Sequence, residues 1–358
     1  MKIFPLKAAH GDALIIQFSS KNRNYTIVID GGPSETAEYV VNLYDKLGYI
    51  DLLVLTHYDE DHIAGLLDFF SCHKKDKVEY VGQVWVNGAH LIYYDDEVNT
   101  SAYENAFNLT SCLNRLKTHG FIGQWMDGIV NDMNPIITDD YRIDILSPTK
   151  DILQTLEREF KQYVDAHGLQ DDSDVDEEVS SVSVLANAEK SLEELSGKTF
   201  KKDYSFMNRT SIAFLLRAEG KNILLMGDAD PMVVVDALNN LILKDESLSI
   251  PLRVDLMKVS HHGSKYNTCR TLLDMLDCPN YLFTTNGGTG SAYHPDRMTL
   301  AYIKKYARCA EEQKLNFYFN YPLFTIEERN TGLLTDAERT LFNIIDQYDN
   351  NTVPLIIL

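Results

Sequence analysis

The stretch "IDLLVLTHYDEDHIAG" runs from Ile50 to Gly65 and changes character halfway. Its first six residues are mostly apolar, bounded by polar residues, and read as a buried strand. The next seven, Thr56 to His62, hold two histidines and three acids. A buried strand that ends in groups costly to bury points those groups at a surface site, on a loop held by a rigid sheet. His57, Asp59, Asp61 and His62 give the spacing H-x-D-x-D-H. Imidazole and carboxylate are ligands for Zn²⁺, Mn²⁺ or Fe. Four such groups in six residues are too many for one closed tetrahedral site and suit two adjacent metals.

Other apolar runs end in the same way. Asp30 closes "IVIDGG", Asp228 follows "NILLM" in "MGDAD", and His261 and His262 follow "LMKVS" in "HHGSK". Strand ends that share one edge of a fold bring these groups together. Further strands are expected at Ala13–Phe18, Tyr25–Asp30, Gln83–Asn87, Tyr141–Leu146, "SIAFLLRA" and "YLFTTN", with a helix from Ser34 toward Gly48 and a short one from Ala64 to Phe70. Asp230 reads as an N-cap with Pro231 at the first helical position, "PDRMTLAYIKKYA" as a helix, and Thr335–Glu338 as a capping box before "RTLFNIIDQY". Paired strands followed by strand–helix alternation predict a mixed α/β layered fold.

The 358 residues carry a net charge of −20, the sign opposite to that of a nonspecific nucleic-acid binder. Glu157 to Leu195 holds 12 acids against 3 bases, and reads as helices around a solvated acidic loop. The Tyr- and Asn-rich region before Tyr141 reads as irregular. No apolar run approaches the roughly 18 residues of a membrane helix, and the N-terminus lacks the unbroken apolar stretch of a signal peptide. Five scattered cysteines without a CxxC read as reduced thiols, which places the protein in the cytoplasm.

The ordered set "HGDALII", "IDGG", "THYDEDHIAG", "NRTSIAFLL", "LLMGDAD", "LMKVSHHGS" and "YHPDRM" resembles the metallo-β-lactamase fold superfamily, in the branch similar to the hydrolase domain of the ComEC/Rec2 competence proteins. The resemblance implies a four-layer αββα sandwich with a dinuclear site on one edge. It spans about Ala9 to Met298; a hydrolase domain is expected over residues 1–325, with an irregular insertion at 88–140 and an acidic one at 151–203 that the resemblance does not cover, and 326–358 is expected as a helical extension packing on the core. It implies that His57 and Asp59 serve a first metal, Asp61 and His62 a second, that Asp228 bridges them, and that either His261 or His262 completes the second. Asp30 would orient the loop from behind. Asn208 stands where a further histidine usually serves the first metal, and His90 is a candidate substitute.

The cofactors expected are two divalent ions, Zn or Mn, making a water nucleophilic. Asp61 would also accept a hydrogen bond from that water, and no serine or cysteine nucleophile is needed; Ser264 and Cys269 read as loop residues. His294 at a helix start, with Arg297 in its first turn and Lys265 nearby, makes an anion pocket that favours a phosphoester. The expected activity is phosphodiester hydrolysis, by a nuclease or on a small nucleotide. An acyl hydrolase acting on a lactone, lactam or thioester is one alternative. A partner-dependent subunit docking through the acidic insertion is another.

Overall fold

Alternation along the strands sorts side chains onto two faces, as a pleated backbone requires. Leu14, Ile16 and Phe18 join one apolar cluster, whereas Ala13 and Ile15 join another. Phe214 and Leu216 likewise separate from Ala213 and Leu215. Each strand therefore has two buried faces, and the only solution is a sheet covered on both sides.

The computed structural model describes residues 1–21, 23–71, 80–88, 102–118, 120–167, 189–288, 292–310, 313–345, 348–349 and 353–358. The chain begins β1 (Lys2–Pro5), β2 (Leu14–Ser19), β3 (Asn24–Ile29), α1 (Ala37–Tyr44), β4 (Tyr49–Val54), α2 (Glu60–Ser71), β5 (Tyr80–Trp85), α3 (Ala102–Thr118) and β6 (Ile122–Met126). It continues with β7 (Ile136–Ile137), β8 (Tyr141–Ser147), α4 (Lys150–His167), β9 (Ala213–Ala218), β10 (Lys221–Leu225), β11 (Leu252–Arg253), β12 (Leu256–Lys258), β13 (Leu276–Asp277) and β14 (Asn280–Phe283). The last strands are β15 (Asn316–Phe319), β16 (Asn343–Ile345), β17 (Tyr348–Asp349), β18 (Val353–Pro354) and β19 (Ile356–Ile357).

One sheet has the order β19-β1-β2-β3-β4-β5-β6 and the other β16-β15-β14-β12-β10-β9-β8-β7. Each is half antiparallel and half parallel: β3, β4, β5 and β6 run parallel in the first, and β10, β12, β14, β15 and β16 in the second. Ile16, Ile27, Ile29, Leu52 and Val54 of the first sheet meet Phe214, Leu216, Ile223, Leu225 and Leu282 of the second in a shared core. The outer face of the first sheet packs on α1, α2 and α3 through Val40, Tyr44, Ile63, Leu66, Phe70 and Leu109. That of the second packs on the helices Pro231–Lys244 and Arg297–Tyr306 through Val234, Leu238, Leu300 and Ile303. The layers run helix, sheet, sheet, helix, as the resemblance implies. Each buried Leu, Ile or Phe side chain contributes about 1.5–3 kcal/mol by leaving water.

Three parts of the chain differ from the sequence reading. α2 starts at Glu60 rather than Ala64, because the backbone N–H groups of His62 and Ile63 already donate to the Asp59 carbonyl. Asp61 and His62 thus sit in a helical first turn. The stretch 88–140 is not wholly irregular: α3 buries Ala106, Leu109 and Leu113 against the first sheet, and β6 extends that sheet by pairing with β5. The described end of the chain is not wholly helical: beyond Arg339 it carries four short strands. The capping box at Thr335 forms, but its helix stops at Arg339, and β16 and β19 join the two sheets. Phe342 stacks edge-on against Phe317 at 4.8 Å, an apolar contact that a continuing helix would carry away from the core. Most of the acidic loop, 168–188, and His90 lie outside the described residues. No helix among the described residues is long and apolar enough to cross a membrane.

Candidate metal centre

The loops after β3, β4, β10, β12 and β14 leave the same edge of the two sheets. Register places the ends of β3 and β4 side by side, with Ile29 opposite Val54, and those of β10 and β12 likewise, with Leu225 opposite Lys258. Asp30 follows β3, His57 follows β4, Asp228 follows β10, and His261 and His262 follow β12. Two glycines let the loop after β3 lie against α2. A Cβ on Gly65 would meet the Gly31 carbonyl oxygen at 2.0 Å, and a Cβ on Gly31 would meet the Leu66 nitrogen at 2.4 Å.

One carboxylate oxygen is the focus of the site. Asp228 Oδ2 lies 3.4 Å from His62 Nε2, 3.8 Å from His262 Nε2, 3.9 Å from His57 Nε2 and 4.0 Å from His261 Nε2. Asp59 Oδ2 is 3.3 Å from His57 Nε2, and Asp61 Oδ2 is 3.1 Å from His262 Nε2. His57, His62 and Asp228 each offer a ligand atom within 4.8 Å of the others, and so do Asp61, His62 and His262. The buried Nε2 atoms of His57 and His62 have no hydrogen-bond partner. Buried polar atoms are ordinarily paired. Two unpaired ring nitrogens facing a shared carboxylate are what a cation's ligands look like, and the imidazole and carboxylate donor set suits Zn²⁺ or Mn²⁺.

The other nitrogen of each ring is held in place. Asp30 Oδ2 is 2.8 Å from His62 Nδ1 and also accepts from the Thr56 hydroxyl, while its Oδ1 accepts from the Thr56 N–H. His262 Nδ1 is 2.8 Å from the Thr284 carbonyl, and His57 Nδ1 is 3.0 Å from Ser211 Oγ. His261 Nδ1 is 3.1 Å from Asn267 Oδ1 and 3.4 Å from Asp203 Oδ2. Such outer contacts fix which nitrogen faces inward. Asp12, Asp30 and His62 form a third close group, but its atoms are already engaged: Asp30 with Thr56 and His62, and Asp12 with Lys258 and Thr284.

Burial pushes His62 and His262 toward the neutral form, but the surrounding carboxylates outweigh it. His62 is raised well above the ordinary imidazole value by Asp228, Asp61 and Asp30, and His262 is raised to about 10 by Asp12 and Asp228. Burial likewise pushes Asp61 and Asp228 up, and the imidazoles reverse it, holding both well below the carboxylate range. Lys258, buried in β12, stays charged because Asp12 and Asp228 overcome its desolvation. His294 goes the other way. Burial and the neighbouring His261 and His262 hold it well below the ordinary value, so its ring is neutral.

The sequence reading placed His57, Asp59, Asp61, His62, Asp228, His261 and His262 in the site, and the structure brings all seven together. The alternation that left His261 and His262 interchangeable does not apply to them. Both lie beyond the strand, in a turn with left-handed backbone at φ 49° and 53°, and both rings face Asp228. Only His262 is grouped with Asp61 and His62. Asn208 is present, but its amide contacts Asp203 and His261. His294 lies with its ring 5.2 Å from that of His261.

The expected anion pocket is where the structure departs most. Arg297 does not face the cluster: its guanidinium binds Glu338 and the carbonyls of Gly332, Leu333 and Lys190. Lys265 Nζ lies 3.6 Å from Asp296. Sequence reasoning passed over Asp12, Asp203, Ser211, Lys258, Asn267 and Thr284. Lys258 carried a signal, as the one charge in the strand "LMKVS", and so did Asp12 in "HGDALII"; the others had none.

Residues 8–86 match the family model described as Metallo-beta-lactamase superfamily. The matched segment holds most of the first sheet and the whole H-x-D-x-D-H stretch, so the resemblance lies in the half of the fold that supplies His57, Asp59, Asp61 and His62. No curated protein matches. Similar solved structures include the metallo-beta-lactamase fold protein YhfI from Bacillus subtilis, at 10% identity over 100% of both chains with a TM-score of 0.42. Another is a diphosphatase from the PhnP family, at 9% identity over 89% of this chain and 86% of that one, TM-score 0.38. A third is Zn(2+)-bound PqqB from Methylobacterium extorquens, at 10% identity over 64% and 66%, TM-score 0.32.

Proposed function

We propose that this protein hydrolyses phosphodiesters at a two-metal centre. The observation that carries the reading is the convergence of four imidazole Nε2 atoms on one oxygen of Asp228. His57 and Asp59 would hold a first ion. Asp61, His62 and His262 would hold a second, with Asp228 shared between them and Asp30 orienting His62. His261, with its Nε2 4.0 Å from the shared Asp228 oxygen, would complete the first site where Asn208 offers only an amide. The H-x-D-x-D-H and "HHGS" elements support the ComEC/Rec2-like branch.

Two divalent ions, when bound, supply Lewis acidity that makes water nucleophilic near neutral pH and steadies charge on substrate oxygens. The chain's own groups do the rest. Asp61, partly exposed at the mouth of the cluster, accepts a hydrogen bond from the attacking water. Neutral His294 offers one N–H to a substrate oxygen without adding charge. Ser211, fully buried and engaged with His57 and the Asp228 N–H, is an orienting group rather than a nucleophile.

Two ions held by His57, Asp59, Asp61, His62, His262 and Asp228 would supply positive charge for the oxygens of a displacement at phosphorus, which supports a phosphoester over an acyl substrate. With Arg297 engaged elsewhere and a net charge of −20, a small phosphodiester or nucleotide fits better than a long polyanion. Turnover of bis-p-nitrophenyl phosphate, set beside nitrocefin and a thioester, tests the assignment. Preference for either acyl substrate overturns it.

A further inference from the structure

Lys258 is the last residue of β12, and its side chain is about 2% exposed. A charge buried this deeply needs partners. Its ammonium group donates to the Gly227 carbonyl at 3.1 Å, pairs with Asp12 Oδ2, and stands 3.7 Å from Asp228 Oδ1. Asp228 is thus divided: Oδ1 faces the lysine, and Oδ2 faces the four imidazoles. Asp12 in turn accepts from the Thr284 hydroxyl with Oδ1, which lies 3.3 Å from His262 Nδ1. One ammonium group therefore stands beside the shared carboxylate as an ion pair, without a hydrogen bond to it, and reaches the backing of His262 through Asp12.

We propose that Lys258 is a positioning residue that restrains Asp228 so that a single oxygen faces both metals. With the lysine present, turning the Asp228 carboxylate to chelate one ion with both oxygens would take Oδ1 away from the Lys258 ammonium group. Without it, that rotation is open, and the shared oxygen is no longer enforced. The proposal rests on the two-metal reading above.

The test separates positioning from charge. Lys258→Met alone leaves Asp12 buried and uncompensated and threatens folding. Lys258→Met combined with Asp12→Asn removes one positive and one negative charge, leaves the local charge unchanged, and keeps an oxygen for Thr284. Metal-free protein is titrated with Mn²⁺, followed by calorimetry and by electron paramagnetic resonance.

Wild-type protein should take two ions whose spins are coupled through the shared oxygen. In the double variant the second ion should bind about 10–100-fold more weakly, and the coupled spectrum should give way to that of isolated Mn²⁺. A double variant that keeps wild-type affinity and coupling overturns the proposal, including the case where it merely melts at a lower temperature. A wild-type protein that binds two uncoupled ions also overturns it, while leaving the two-metal reading intact. A wild-type protein that binds no metal overturns that reading itself.

Discussion

His262 Nε2 lies 3.1 Å from Asp61 Oδ2, although 201 positions of sequence separate the two residues. The contact joins the first turn of α2 on one sheet to the turn after β12 on the other. His262 is therefore expected to serve the ion that Asp61 and His62 hold. His262→Ala should leave about one equivalent of metal where the wild type has two, and His261→Ala should spare the Asp61–His62 ion. Metal content after dialysis distinguishes them, and the reverse pattern would exchange the two assignments.

Asp30 is fully buried, fixes His62 through Nδ1 and holds the Thr56 backbone. Asp30→Ala is expected to weaken metal affinity by about 10–100-fold, read by competition with a chelating dye. Unchanged affinity would mean that α2 alone sets the His62 ring.

Arg297 tests the corrected anion pocket. It is buried and paired with Glu338, and burial of Glu338 is outweighed by that arginine, which holds the carboxyl below its ordinary value. Arg297→Ala should cost about 1–3 kcal/mol of stability, because it removes the partner of Glu338 and leaves the buried Leu333 carbonyl without its donor. The midpoint of urea unfolding should fall while KM of the folded protein stays the same. A raised KM with stability intact would restore the substrate-binding role.

Alkaline pH should destabilise the second sheet. Burial raises the Cys278 thiol from 9.0 to about 12 and pushes the neighbouring Tyr281 well above 10.0. Both groups are favoured neutral in the folded chain. Their contribution is complete below about pH 9 and is lost as pH rises toward 12, because the unfolded chain ionises first. Urea midpoints from pH 8 to 11 should fall, and less steeply in Cys278→Ala; equal slopes would remove Cys278 from the explanation.

Much of the site was legible because strand ends are punctuated. An apolar run closing on Asp30, His57 or Asp228 marks both a strand terminus and a member of the cluster. The layered fold followed from the same runs. What escaped was set by tertiary contact. The start of α2 depends on the Asp59 carbonyl capturing two N–H groups amid acids that read as loop. The strand at Asn343–Ile345 exists because β15 offers it an edge, against local residues that read as helix. The fate of Arg297 depended on Glu338, whose capping-box role was visible but whose position beside Arg297 was not. His261 and His262 both face Asp228 only because two successive residues adopt left-handed backbone, a cost of about 1–3 kcal/mol each that no sequence pattern announces.

The most direct measurement is the metal content of protein purified without chelators, wild type beside Asp228→Ala. Two equivalents of Zn or Mn per wild-type chain, falling to one or fewer when the shared carboxylate is removed, is the expected outcome. A folded wild-type chain that takes up no transition metal, or an Asp228→Ala chain that still holds two ions at wild-type affinity, would contradict a dinuclear centre built around this residue.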